Sequence, residues 1–287
     1  MQSSKKSLVF FFLFFTIQLY FSCSYTLASK KGPVIFVTTT SVYDSGLLEE
    51  LIPLFEREKG YVVKTIAVGS GQAIVLGKRK EADILLVHSP EEEKEFMVKG
   101  FGSRRRTIMY NYFVVVGPKN DPCGITTTRT AKEALRKIAE RKCIFLSRGD
   151  NSGTHMVEKR LWSEIGIDPS KENWYQETGQ GMGLTLKMAF DKGAYTLSDS
   201  ATYLIFSKAL KTNLSFVKDE RLLNIYSVLE VKPSMSGRSN PDGARALSDF
   251  LISDRIQRII GNFGKDKYGS SLFIPCARKK MELEKWR

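Results

Sequence analysis

Apolar positions along this chain fall into two rhythms that take turns. Short runs such as 34–37 and the apolar centre Ile84-Leu85-Leu86-Val87 of 83–88 read as buried strands, while 45–58 places Leu47, Leu48, Leu51, Ile52 and Phe55 on one helical face before Gly60. Residues 61–68 form another strand pattern, ending in Gly69-Ser70-Gly71. A short helix follows over 72–78, and Ser89-Pro90 opens a charged helix to Lys99. Further strands are expected at 111–117, 143–146, 194–197 and 225–231. Helices are expected at 131–141, after Asn151, from Gly179-Gln180-Gly181-Met182-Gly183 to Phe190, over 200–210, and as one long element from about 243 to 263. Alternation of this kind predicts βαβ units, an α/β fold and a largely parallel sheet. The turn Pro118-Lys119-Asn120-Asp121-Pro122 marks a lobe boundary. Two crossings, near 112–118 and 220–228, would make two lobes around one cleft.

Ligands of open α/β sheets sit beyond the carboxyl ends of the strands. Three strand-to-helix turns occupy that position: Thr38-Thr39-Thr40-Ser41, Gly69-Ser70-Gly71, and Ser147-Arg148-Gly149-Asp150-Asn151-Ser152-Gly153-Thr154-His155. A helix start carries N–H groups without intrahelical partners and the positive end of a dipole. Hydroxyl donors and one bidentate arginine complete a receptor for a tetrahedral oxyanion. Thr39, Thr40, Ser41, Ser70, Arg148, Ser152 and Thr154 are therefore the candidate ligand-binding residues, and the glycines permit close backbone approach. Each has a plainer explanation: Ser and Thr after a strand are ordinary helix caps, Arg148 can serve a salt bridge, and Asp150 can cap the helix or position Arg148. Arg148-Gly149-Asp150 is too common a tripeptide to imply adhesion.

The chain carries a formal +13, of which Lys5 and Lys6 account for +2, leaving +11 beyond the leader. The basic residues are scattered, as in Lys78-Arg79-Lys80 and Arg104-Arg105-Arg106, and acidic runs such as Glu91-Glu92-Glu93 interrupt them. That pattern reads as solvated surface rather than a nucleic-acid footprint. Residues 1–28 read as a signal peptide: two lysines, an apolar run from Leu8 to Phe21 of about 14 residues, then small residues up to Thr26-Leu27-Ala28. The run is short of the ~20 residues that span a bilayer. The protein is then exported and periplasmic, or held at the outer face of the membrane if Cys23 is lipidated. Cys123, Cys143 and Cys276 allow at most one internal disulfide, whose pairing the spacing leaves open. Two histidines and scattered cysteines give no cation-binding cluster and imply no cofactor. A hydrolase triad from Ser152 with His155 or His88 lacks a Gly-x-Ser-x-Gly elbow, so no catalytic residue is assigned.

The linked motifs resemble a known family. Thr38-Thr39-Thr40-Ser41-Val42-Tyr43-Asp44-Ser45-Gly46-Leu47-Leu48, Ala67-Val68-Gly69-Ser70-Gly71-Gln72-Ala73, Ala82-Asp83-Ile84-Leu85-Leu86-Val87-His88, the segment from Met109 to Pro118, the Ser147–His155 turn, Trp174-Tyr175, Gly179–Gly183 and Ala194-Tyr195-Thr196-Leu197 are similar to the tungstate-binding proteins of bacterial ABC importers (TupA-type). The resemblance covers nearly all of the mature chain. It implies a two-lobed periplasmic-binding-protein fold of type II, with lobe I from 31–112 plus 226–287 and lobe II from 113–225. It also implies a non-enzymatic receptor for tungstate, with molybdate a competitor, monomeric and serving the permease and ATPase subunits of an ABC importer. The turn hydroxyls, Ser70, Arg148 and Thr154 match positions the family uses around the anion. Ser70 stands where the family commonly has threonine, and Ser200 where it commonly has an arginine. The Arg148–Thr154 run also looks like that of phosphate-binding proteins. Phosphate keeps a proton and rewards a carboxylate acceptor, whereas tungstate would be repelled by one. The orientation of Asp150 therefore separates the two readings.

Overall fold

A computed structural model describes residues 31–209, 215–233 and 239–277. The leader, Cys23 and Arg278-Lys279-Lys280 lie outside the described residues. In chain order the elements are β1 (Val34–Thr39), α1 (Thr40–Asp44), α2 (Leu47–Lys59), β2 (Val63–Val68), α3 (Ser70–Lys78), β3 (Ile84–Val87), α4 (Pro90–Val98) and β4 (Gly102–Gly117). There follow α5 (Ala131–Glu140), β5 (Phe145–Ser147), α6 (Gly153–Glu164), β6 (Tyr175–Glu177), α7 (Met182–Lys192), β7 (Thr196–Asp199), α8 (Ser200–Ala209) and β8 (Ser215–Val231). The described chain closes with α9 (Pro241–Leu251), α10 (Asp254–Asn262), α11 (Lys265–Tyr268) and β9 (Ile274–Pro275).

The sheet is mixed, which corrects the expectation of a largely parallel one. Strands run in the order β2-β1-β3-β8-β4-β7, with β9 on β4. Only β1–β2 and β1–β3 pair in parallel within it, and β5–β6 form a separate parallel pair. β8 is antiparallel to both β3 and β4, and β7 is antiparallel to β4. The cause is the length of β4 and β8, which run side by side from Gly102↔Val231 to Gly117↔Ser215.

The two long strands feed separate apolar cores. Ile108 and Met109 of β4, with Tyr226 and Val228 of β8, join Phe36, Ile84, Leu51, Phe55, Leu247 and Ile256. The opposite face of β1, β3 and β8 packs Val37, Leu85 and Leu229 on Ala73, Ile74 and Phe96. These strands are therefore covered on both faces, which explains their unbroken apolar runs. Farther along β4, Phe113 and Val115 pack with Val217, Leu135, Ile138, Phe145, Trp162 and Tyr195, while Val114 and Val116 meet Met182 and Leu186. Between the cores the register jumps from Tyr112↔Leu223 to Val114↔Lys218, a bulge-like irregularity in the ladder.

Several boundaries differ from the sequence pattern. β4 begins at Gly102, because Arg104-Arg105-Arg106 lie within the strand. Arg105 reaches the buried Glu93 through Nη2 at 2.7 Å and Nε at 2.8 Å, so this pair is not solvated surface. The helix expected over 243–263 is two helices broken at Ser253, whose hydroxyl turns back onto the Phe250 carbonyl at 2.7 Å. Gly46, with φ of 81°, separates α1 from α2. The strand at Tyr175–Glu177 was not anticipated. Cys123 and Cys143 form a disulfide, and Cys276 is buried apart from it. No helix among the described residues is long and apolar enough to cross a membrane.

Candidate functional site

The three hydroxyl-rich turns converge. β1 carries Thr38 and Thr39 to its end, and α1 starts at Thr40. Thr38 is consumed internally, its hydroxyl donating to the Leu86 carbonyl at 3.4 Å. Thr39 and Ser41 face each other, Oγ1 to Oγ 3.3 Å, and the Ser41 side chain also hydrogen-bonds the Tyr226 hydroxyl. Thr40 and Ser41 are half-buried. Ser70 opens α3 with its Oγ buried and without a partner, although burying an unpaired hydroxyl is costly. Across from it, a methyl group on Gly71 would lie 3.5 Å from the Asn151 carbonyl oxygen, so the second and third turns touch.

The third turn is built to aim an arginine. Gly149 and Asn151 both hold positive φ, 63° and 55°, and a side chain on Gly149 would strike Glu177 at 2.8 Å. Arg148 is buried, 6% exposed. Its Nη2 donates to Asp150 Oδ2 at 2.5 Å and its Nε to the Gln180 carbonyl at 3.4 Å. The other oxygen of Asp150 accepts from Ser152 N–H at 3.1 Å. Asp150 thus positions Arg148 with one oxygen and caps the turn with the other. Ser152 is the N-cap of α6, its Oγ accepting from His155 N–H at 3.4 Å, which leaves the hydroxyl proton for donation. Gly153 and Thr154 form the first turn, where backbone N–H groups have no intrahelical partner.

Behind Arg148 lies a buried carboxylate. Glu158 accepts from Ser147 Oγ at 2.8 Å, Tyr175 Oη at 2.8 Å and Trp162 Nε1 at 3.2 Å. Burial pushes its carboxyl up to about 7, against the pull of those three donors. The set fixes Ser147, the residue before Arg148.

The floor of the cleft holds residues that the sequence pattern did not single out as ligands. His88, at the end of β3, is buried with Nδ1 unpartnered, and its ring lies 4.9 Å from that of Tyr226. A chain of amides runs beneath it: Asn111 Nδ2 donates to Asp199 Oδ1 at 3.0 Å, and Asn224 Nδ2 to Asn111 Oδ1 at 2.8 Å and Tyr226 Oη at 2.9 Å. Asparagine inside the central strands β4 and β8 was the available signal, since it interrupts apolar runs where strand propensity disfavours it. Ser200 turns to the crossing strand, accepting from Tyr112 N–H at 3.3 Å.

His155 does not form a base pair with Ser152, because its Nδ1 accepts from the Asn151 N–H at 3.0 Å. Among the described residues no group of His, Cys, Asp and Glu is arranged to hold a metal ion.

A cleft floored by strand ends, with helix starts and an arginine facing it, defines a solute-binding protein of the periplasmic-binding-protein type. A model of the PBP superfamily domain matches residues 26–255. The chain is 45% identical over 251 residues to the tungstate-binding protein TupA of Peptoclostridium acidaminophilum, covering 87% of each chain. It is similar to the solved structure of the tungstate-binding protein TupA from Desulfovibrio alaskensis G20, with a TM-score of 0.74, 40% identity, and coverage of 86% of this chain and 100% of that one. A tungstate ABC transporter structure from Geobacter sulfurreducens matches with a TM-score of 0.73, 44% identity, and coverage of 80% and 98%. The chain belongs to the TupA family.

Proposed function

We propose that this chain captures tungstate outside the cytoplasm and delivers it to an ABC importer. Relatives named as tungstate-binding proteins at 45% and 40% identity support the ligand class. The observation that carries the choice of anion is Asp150. Its oxygens hold Arg148 and the Ser152 N–H, which engages the carboxylate in aiming the arginine rather than in accepting a proton from the ligand. A proton-free dianion suits that arrangement, and hydrogen phosphate does not. Molybdate, of the same shape and charge, competes for the site.

In this reading Thr39, Thr40, Ser41 and Ser70 donate from lobe I (31–112 and 226–287). Arg148, Ser152 and Thr154 donate from lobe II (113–225). The lobes close about the crossings of β4 and β8, as hinged receptors do. The closed form, a monomer, docks on the permease of the importer, whose ATPase drives uptake; the protein is a carrier without enzymatic activity or cofactor. The leader directs export, and Cys23 supplies an anchor if it is lipidated. Calorimetric titration of the purified chain with tungstate, molybdate, phosphate and sulfate tests the reading. One-to-one binding of tungstate and molybdate is expected. Tight phosphate binding without a tungstate response would overturn it.

A further inference from the structure

The hydrogen-bond polarity under His88 fixes what its imidazole can offer. A carboxylate only accepts, so Asp199 holds the amide nitrogen of Asn111 toward itself. Asn111 must then present its oxygen to Asn224, and both amide hydrogens of Asn224 are committed, to Asn111 Oδ1 and Tyr226 Oη. What remains to Asn224 is its oxygen, buried with no other partner, and Asn224 favours the charged form of the neighbouring His88, as an acceptor does. An acceptor on that side sets the ring hydrogen on Nε2 and leaves Nδ1 bare.

Nδ1 faces the first turn of α6, whose N–H groups are candidate donors to the anion. It is buried without a partner, and a methyl group on Gly153, the first residue of α6, would lie 3.0 Å from it. The charged and titratable groups around the ring are Asp199 on β7, Arg148 after β5 and the Tyr226 hydroxyl on β8. Asp199 is committed to Asn111, to the α8 N–H groups of Ala201 and Thr202, and to the Thr202 hydroxyl. Arg148 is paired with Asp150. Burial, and then the Arg148 charge, hold His88 down at about 4 against the pull of Asp199 and Asn224, so it is neutral near pH 7. A bare nitrogen lone pair repels the oxygen of a proton-free dianion. The same dianion, once close, favours a positive charge on the ring.

We propose that His88 is a proton-linked contact of the captured anion: as a proton-free dianion settles in the site, Nδ1 takes one proton from solvent and donates a hydrogen bond to an anion oxygen. The imidazolium then offers Nε2–H to the unpartnered Asn224 oxygen and Nδ1–H to the ligand. This rests on the tungstate reading above. Hydrogen phosphate, which carries its own proton, could meet the bare nitrogen without any uptake, so the linkage separates the two ligand classes.

The test is calorimetry of tungstate binding near pH 7 in buffers of differing ionisation enthalpy, on the wild-type chain and on His88→Asn, whose amide N–H replaces Nδ1–H without titrating. Wild type is expected to take up about one proton more per tungstate than the variant. With only two histidines in the chain, imidazole nitrogen NMR gives a second readout that does not depend on the variant folding. Nδ1 of His88 should pass from bare to protonated when tungstate is added. Equal uptake by the two proteins, or an Nδ1 that stays bare in the tungstate complex, overturns this inference alone. A wild-type chain that binds no tungstate overturns the function itself.

Discussion

Gly153 and His88 are in contact across the cleft: a methyl group on Gly153 would lie 2.9 Å from Cε1, 3.0 Å from Nδ1 and 3.1 Å from the carbonyl oxygen of His88. Backbone and a buried ring cannot both retreat. Gly153→Ala should therefore prop the start of α6 away from β3 and weaken tungstate binding at least tenfold, or ~1.4 kcal/mol. Gly71→Ala, whose methyl would meet the Asn151 oxygen at an ordinary 3.5 Å, should bind as wild type does. Titration of both variants checks the contrast, and equal affinities would remove the contact from the closing motion.

In the proposed site Arg148 supplies the charge and Asp150 its aim. Truncating a buried, charged hydrogen-bonding group costs ~2–5 kcal/mol, so Arg148→Ala should lower tungstate affinity by that order. Asp150→Ala frees the guanidinium and should cost less, about 1–2 kcal/mol, for the loss of a charge-assisted bond. The preference for tungstate over phosphate should survive it. Competition titrations decide the point, because a selective loss of phosphate binding would place the carboxylate against the ligand.

Glu158 makes stability depend on pH. Its carboxyl titrates near 4.5 when unfolded and at about 7 in the fold, because burial disfavours the charge. Folding therefore favours the protonated form, and stability present below about 4.5 is lost as the pH rises through about 7. Glu158→Gln keeps an oxygen for Trp162 and Tyr175 without that cost. The variant should be more stable than wild type at pH 8, by up to about 3 kcal/mol, and should lose the advantage at pH 4. Denaturant melts at the two pH values measure it.

The Cys123–Cys143 bridge closes a separation of 20 residues, and Cys143 lies two residues before β5. Loop closure of that length stabilises by ~3 kcal/mol. Reduction, or Cys143→Ser with Cys123→Ser, should lower the melting temperature and leave tungstate affinity within about twofold. Thermal melts with and without reductant, paired with titration, separate the two effects.

The sequence displayed the candidate donors better than the frame around them. Ser70, Arg148 and Ser152 stand at strand-to-helix turns that local pattern identifies, because caps and helix starts depend on neighbours in the chain. The mixed sheet was hidden, since strand direction is set by pairings between residues more than a hundred positions apart, such as Arg105 with Leu229. The arginine run masked the first half of β4 because its charge is answered by Glu93 and Asp249 from other elements. Asp150 illustrates the same limit. Its place in the motif was plain, yet its role follows from where its two oxygens point.

In the proposed complex Arg148 and the turn hydroxyls enclose a proton-free dianion with Asp150 turned aside. Anomalous diffraction at the tungsten edge, from crystals of the chain grown with tungstate, tests it directly. The account predicts one strong peak with anion oxygens in hydrogen-bond reach of the Arg148 guanidinium, Ser70 Oγ and the first N–H groups of α6, and none on Asp150. A peak elsewhere, or an anion oxygen seated on the Asp150 carboxylate, would contradict it.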